Sequence, residues 1–185
     1  MRKVSRNEIV SVAEYEKLRT DFRAKILQIK ECRRIHVGEH LTFLFENKET
    51  VRYQIQEMIR AEGMKEENQI AHEIETYNEL LGEQGELGCT LLIEIDDPQR
   101  RSELLSRWLN LPEHLYVKTA DGAMVRPVID ERQIGESRIS SVHYLRFKLA
   151  DKVPAAVGCS HADINTEVSL SKLQTSELCK DLMAR

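Results

Sequence analysis

From Tyr15 onward, apolar side chains return every three or four residues, at Tyr15, Leu18, Phe22, Ile26 and Ile29. That spacing lines one face of a helix and predicts one from Glu14 to Arg33. Ser11 and Glu14 form a capping-box pair at its start, and Ser5 with Glu8 repeats the signal upstream. Arg34–Val37 and His40–Glu46 then read as two strands around Gly38-Glu39, a two-residue hairpin loop with glycine first. Asn47 is placed to cap a helix from Lys48 to about Glu62, with Val51, Ile55, Met58 and Ile59 as its buried stripe and Gly63 as its stop. A third helix carries Ile70, Ile74, Tyr77 and Leu81 on one face.

The period changes at Cys89. Cys89, Leu91, Ile93 and Ile95 alternate with Thr90, Leu92 and Glu94, and both faces are apolar at the centre, which predicts an interior strand. Asp97-Pro98 opens a further helix with Leu104, Leu105, Trp108 and Leu109 on its core side, ended by Asn110 to Pro112. Tyr116–Thr119 and Ala123–Val128 flank Asp121-Gly122, a hairpin turn. Val142–Leu149, Val153–Cys159 and Asn165–Leu170 read as further strands, and Ser171-x-x-Gln174 opens a terminal helix. The fold class expected is α+β: N-terminal helices and a hairpin, then a mixed, mostly antiparallel sheet with helices packed on one side. The chain reads as one domain over residues 1–185, helix-rich over 1–84, strand-rich over 85–170, with a short helix at 171–183.

Composition narrows the class. Apolar residues make up 41% of the chain and charged residues 31%, and no apolar run approaches the length of a membrane span. No secretory leader follows Met1, and Cys32, Cys89, Cys159 and Cys179 form no CxxC pair, so the reading is a cytoplasmic protein with reduced thiols. A net charge of −4 argues against nucleic acid as a partner. The charge is uneven: residues 1–34 hold ten Lys/Arg against five Asp/Glu, and residues 57–97 hold two against twelve. Two solvated helix faces explain this, and a polarised docking surface is the sharper alternative.

Candidate chemistry collects in two places. Alternation places Ser141, His143, Leu145, Phe147 and Leu149 on one face, so His143 stands in apolar company, as a core histidine with both nitrogens hydrogen-bonded or as a metal ligand or general base with a perturbed pKa. Cys159, His161 and Asp163 are spaced by two. If their strand continues and lies beside Val142–Leu149, His143, His161 and Asp163 converge with Cys159 at the edge, a donor set suited to iron or zinc. The second place is polar: Glu46, Arg52, Gln56 and Glu57 stand off the Val51/Ile55/Met58 stripe, and with His143 they form a candidate pocket. The structural alternative there is a buried Arg52–Glu57 or Arg52–Glu46 ion pair. His72, Glu75 and Glu79 form a line on the next helix, but the Glu-x-x-His order of a di-iron site is missing. His36 and His40 fall on opposite faces of the proposed hairpin, and His114 shows no partner. Cys32 stands beside Lys30, Arg33 and Arg34, which would favour its thiolate; packing as a small apolar residue is the alternative. GxSxG, HExxH, P-loop and GxGxxG motifs do not occur.

The block Thr42-Phe-Leu-Phe-Glu-Asn-Lys-Glu-Thr-Val-Arg-Tyr-Gln-Ile-Gln-Glu-Met58 resembles the signature of a bacterial family, domain of unknown function 3501. Glu75–Leu81, Gly85–Glu94, Ser141–Phe147 and the surroundings of His161 are similar to the same family, whereas Cys159 stands outside its pattern. The resemblance implies a link to rubrerythrin-like and iron–sulfur oxidoreductase proteins, often encoded beside family members. On that basis the leading expectation is an accessory or metal-handling protein in iron-dependent redox or peroxide defence, a role in oxidative stress. A small-molecule enzyme or binding protein using the Glu46/Arg52/Gln56/Glu57/His143 pocket is the second. A module that docks an oxidoreductase through the acidic 57–97 region is the third.

Overall fold

The computed structural model describes residues 3–129 and 137–184. Arg6–Glu8 form a single 3-10 turn, held by the Glu8 carboxylate, which accepts from the Ser5 amide and hydroxyl. Helix α1 runs Val12–Glu31, with Ser11 accepting from the Glu14 amide. Strands β1 (Arg34–Val37) and β2 (Leu41–Phe45) follow. Helix α2 (Lys48–Ala61) starts at Asn47, which exchanges reciprocal hydrogen bonds with Thr50. It stops at Gly63, whose φ of +61° lets the Met64 amide reach back to the Ile59 carbonyl and the Gly63 amide to that of Arg60. Helix α3 is Glu67–Asn78 and strand β3 Glu86–Ile93. Asp97 caps α4 (Pro98–Arg107), and the short α5 (Leu111–His114) leads into β4 (Leu115–Thr119). Then come β5 (Met124–Val125), β6 (Pro127–Ile129), β7 (Val142–Lys148), β8 (Pro154–Cys159), β9 (Thr166–Ser169) and α6 (Lys172–Met183).

The class is α+β, as the element pattern predicts, but the strands divide between two sheets rather than forming one. Five strands run in the order β1-β2-β3-β7-β6 and four in the order β5-β4-β8-β9. Every pairing in both is antiparallel. The split is made inside the predicted strand Ala123–Val128. Pro127 has no amide to donate, and the chain breaks at Arg126, leaving β5 on β4 and carrying β6 across to β7. The interior strand predicted around Cys89 is β3, the centre of the larger sheet.

The first hairpin differs by one residue. Val37 faces Leu41 and His36 faces Thr42, so the loop is Gly38-Glu39-His40 and not two residues. His40 is drawn out of the ladder: its carbonyl accepts from the Glu94 amide and its ring rests on Trp108 at 5.8 Å.

One hydrophobic core spans the two sheets and takes in Leu105 and Trp108 near α4 and Leu178 and Leu182 of α6. A second packs Val4 and Ile9 against α2 and α3. The helices cover the larger sheet unevenly. Strand β2 is buried at every position and β3 at all but one, whereas β7 alternates exposed and buried along its length. The turn after α3 lies directly on β3, since a Cβ on Gly88 would stand only 1.9 Å from the Leu80 carbonyl oxygen. No helix among the described residues is long and apolar enough to cross a membrane.

Candidate functional site

The proposed metal set does not converge. His143 lies on β7 opposite Leu91 of β3, in the five-stranded sheet, while Cys159 ends β8 in the other sheet. The premise that these two strands are neighbours is therefore corrected. The strand also stops at Cys159 instead of running on. His161 starts a 3-10 turn, its Nδ1 accepting from the Asp163 amide. Asp163 is committed elsewhere, to the Trp108 indole N–H at 2.9 Å and to Arg107 at 2.9 Å. Cys159 is buried, its sulfur accepts from the His161 amide, and burial pushes its thiol pKa up. Among the described residues no group of three or more His, Cys, Asp and Glu is arranged to hold a metal ion.

His143 is fully enclosed, and among the described residues neither ring nitrogen has a hydrogen-bond partner. Desolvation lowers its pKa, with the Ser140 backbone pulling the other way.

The second candidate set is structural mortar. Glu46 accepts from the hydroxyls of Thr50 and Thr90, joining the start of α2 to β3. Gln56 holds both backbone groups of Val10 with its amide, fixing the N-terminal segment. Glu57 takes the Tyr15 hydroxyl at 2.6 Å and a two-pronged bond from Arg19, which together draw its pKa down. Arg52 pairs with Glu49 at 2.8 Å and lies 4.8 Å above the Phe22 ring, so neither expected pairing, with Glu57 or Glu46, forms. His143 belongs to the opposite side of the larger sheet, since it shares the Leu91 and Leu145 face while Thr90, beside Glu46, shares the other. These five residues line no common pocket.

His36 and His114 have local partners. The His36 Nδ1 meets the Thr42 hydroxyl at 2.8 Å. His114 packs edge-on against His161, with ring centres 5.2 Å apart, and contacts Asn110 and Ser160, company that its sequence position did not reveal. His72 and Glu75 are exposed on α3. Cys32 is half-buried at the C-cap of α1.

A concave feature with room for a ligand lies elsewhere. A cleft of about 750 Å³ opens between α3 and the uncovered face of β7 and β6. Glu73, Thr76, Tyr77 and Leu80 form one wall, residues at i, i+3, i+4 and i+7 and hence on one line of α3 and its continuation. Tyr144 and Arg146 of β7 and Val128 of β6 form the other, and Glu79 stands at the rim. Val128 and Tyr144 are 40% and 43% exposed, apolar surface that the protein's own helices leave open.

The electrostatics of the walls are uneven. The Glu73 carboxyl is held above its ordinary pKa, first by desolvation and then by Glu62, with His72 opposing. Tyr77 is pushed up by desolvation, a hydrogen bond from Gln54 acting against it. Cys89 lies at the floor, but its side chain shares the Leu91 and Leu145 face of the sheet, and burial keeps its thiol far above its ordinary pKa. The polar groups lining the cleft are thus carboxylates, phenols and a guanidinium, a set suited to binding polar organic groups. Sequence reading passed over Glu73, Tyr144 and Arg146. The available signal was a strand whose outer face carries Val142 and Tyr144, apolar side chains that solvation alone does not explain.

Comparison with other proteins agrees with this architecture. A family model described as "Protein of unknown function (DUF3501)" matches residues 3–182. A crystal structure of a novel protein of unknown function from Burkholderia pseudomallei K96243 superposes with a TM-score of 0.89 at 27% sequence identity, covering 98% of this chain and 100% of that one. No curated protein matches.

Proposed function

Because the chain belongs to the DUF3501 family of proteins of unknown function, whose description assigns no chemistry, we propose a role from the geometry alone: it binds a small organic molecule in the α3–β7 cleft. The carrying observation is the cleft itself, about 750 Å³ with mixed polar and apolar walls. Ligand sites are commonly concavities of roughly 300–1,000 Å³ lined by apolar and aromatic groups with a few polar anchors. Glu73 adds a carboxyl with a raised pKa, a property that clusters at functional sites. This reading keeps the small-molecule class expected from the sequence but moves it to different residues.

The metal-handling reading, with rubrerythrin-like or iron–sulfur partners, draws no support from the His143, His161, Asp163 and Cys159 positions, which lie on separate elements.

The test is a thermal-shift screen of a metabolite panel against the protein and its Thr76→Trp variant. Thr76 is exposed on α3 and faces the cleft, so an indole there fills the space without disturbing a core. Expected are ligands that raise the melting temperature of the parent and lose that effect in the variant. A panel with no binder, or binders indifferent to the substitution, overturns the proposal.

A further inference from the structure

Resting on that reading of the cleft, we propose that it selects small zwitterions, an ammonium group against the α3 wall and a carboxylate against Arg146. The body of the ligand lies on Tyr77, Tyr144 and Val128.

The argument begins with charges that lack counter-charges. Glu73 and Glu79 both line the cleft, and among the described residues neither forms a salt bridge. On the opposite wall Arg146 is likewise without one. Its cross-strand neighbours are Gly88 on β3 and Val128 on β6, and neither brings a charge. The contrast is two residues along the same strand, where Lys148 meets Glu86 at 3.5 Å. Among the described residues the sheet therefore pairs Lys148 and brings no counter-charge to Arg146 beside the cleft.

The carboxylates and the guanidinium do not neutralise each other either, because they stand on facing walls across the cavity. Fixed opposite charges on two sides of a concave space orient a ligand that is itself dipolar and reject one with the reversed charge. The guanidinium fork matches a carboxylate by two parallel hydrogen bonds. An ammonium at the other end meets carboxylates and the faces of Tyr77 and Tyr144, which favour cations electrostatically. A ligand with only one of the two charges leaves one wall unsatisfied.

The experiment is calorimetric titration at neutral pH with L-phenylalanine, 2-phenylethylamine and 3-phenylpropionate, which share a body and differ in charge. L-phenylalanine is expected to bind about tenfold or more tightly than either half-charged analogue, as for loss of one charged hydrogen-bonding group. Arg146→Gln is expected to reduce its affinity to that of the amine, and Glu73→Gln to that of the acid. Equal binding of the three compounds, or unchanged L-phenylalanine affinity in both variants, overturns the inference. Thr76-sensitive panel ligands that all lack paired charges also overturn it and leave the cleft as a binding site. A panel without any Thr76-sensitive binder removes both.

Discussion

His143 carries the sharpest conflict at the scale of single residues. An imidazole at 0% exposure for which the described residues supply no well-formed hydrogen bond to either nitrogen forfeits the hydrogen bonds it would make with water. An unsatisfied buried polar group costs about 1–3 kcal/mol. His143→Leu is therefore expected to raise stability at pH 7 by about 1–3 kcal/mol, read from urea unfolding. A loss of stability would show that the nitrogens are satisfied. The same residue imposes a pH dependence. Burial lowers its pKa below the ordinary 6.5, so the unfolded chain takes up the proton at a higher pH than the folded one. Its contribution is complete above 6.5 and is lost as the pH falls through the lower folded-state value. The leucine variant is expected to lose less stability than the parent between pH 7 and pH 5, and parallel profiles would contradict this.

Between elements, ties of high sequence separation hold the layers. Arg33, at the end of α1, is 4% exposed and grips Asp181 of α6 with two hydrogen bonds of 2.8 and 3.1 Å. Removing one partner of a buried ion pair strands the other charge, a loss of about 3–5 kcal/mol. Asp181→Ala is expected near the lower end, about 3 kcal/mol, because Glu177 still reaches Arg33 at 3.1 Å. A change below about 1 kcal/mol in chemical denaturation would place this pair among surface contacts. Gly88→Ala is a second check, since the new methyl would press on the Leu80 carbonyl and lift the turn off the sheet. It is expected to lower stability by more than about 2 kcal/mol. These ties explain what was legible in the sequence. Ser11, Asn47, Asp97 and Ser171 cap their helices within three residues of themselves, so local pattern locates every one. The alternation of β7 is equally local. The hairpin register is not, because His40 is held by Glu94 and Trp108, more than fifty residues away. Nor is the separation of β7 from β8, which the sheet change at Arg126 and Pro127 decides. The candidate pocket failed for the same reason: Gln56 and Glu57 are engaged by Val10, Tyr15 and Arg19 from the N-terminal segment and α1.

For the molecule as a whole, the consequence is a sheet covered by helices over β2 and β3 and left open over β7, with the cleft formed at the boundary. The line Glu73–Thr76–Tyr77–Leu80 gains its meaning only from the way α3 is set against that open face, which no periodicity in its own sequence could convey. If the α3 wall receives an ammonium group, Glu73 must be ionised to do so. Desolvation and Glu62 hold its pKa above the ordinary 4.5, so its charge is lost at a higher pH than for a free glutamate. Bound cation opposes that shift, which makes ligand binding and deprotonation of Glu73 mutually favourable. Affinity for an amine-bearing ligand is therefore expected to be flat near neutrality and, as the pH is lowered, to begin falling while the pH is still above 4.5, with proton release on binding in that window. Titration in buffers of different ionisation enthalpy reads that release directly. Glu73→Gln should abolish it while leaving the fold intact, because the side chain faces the cleft. Proton release that persists in the glutamine variant would assign the linkage to another group and take Glu73 out of the binding site.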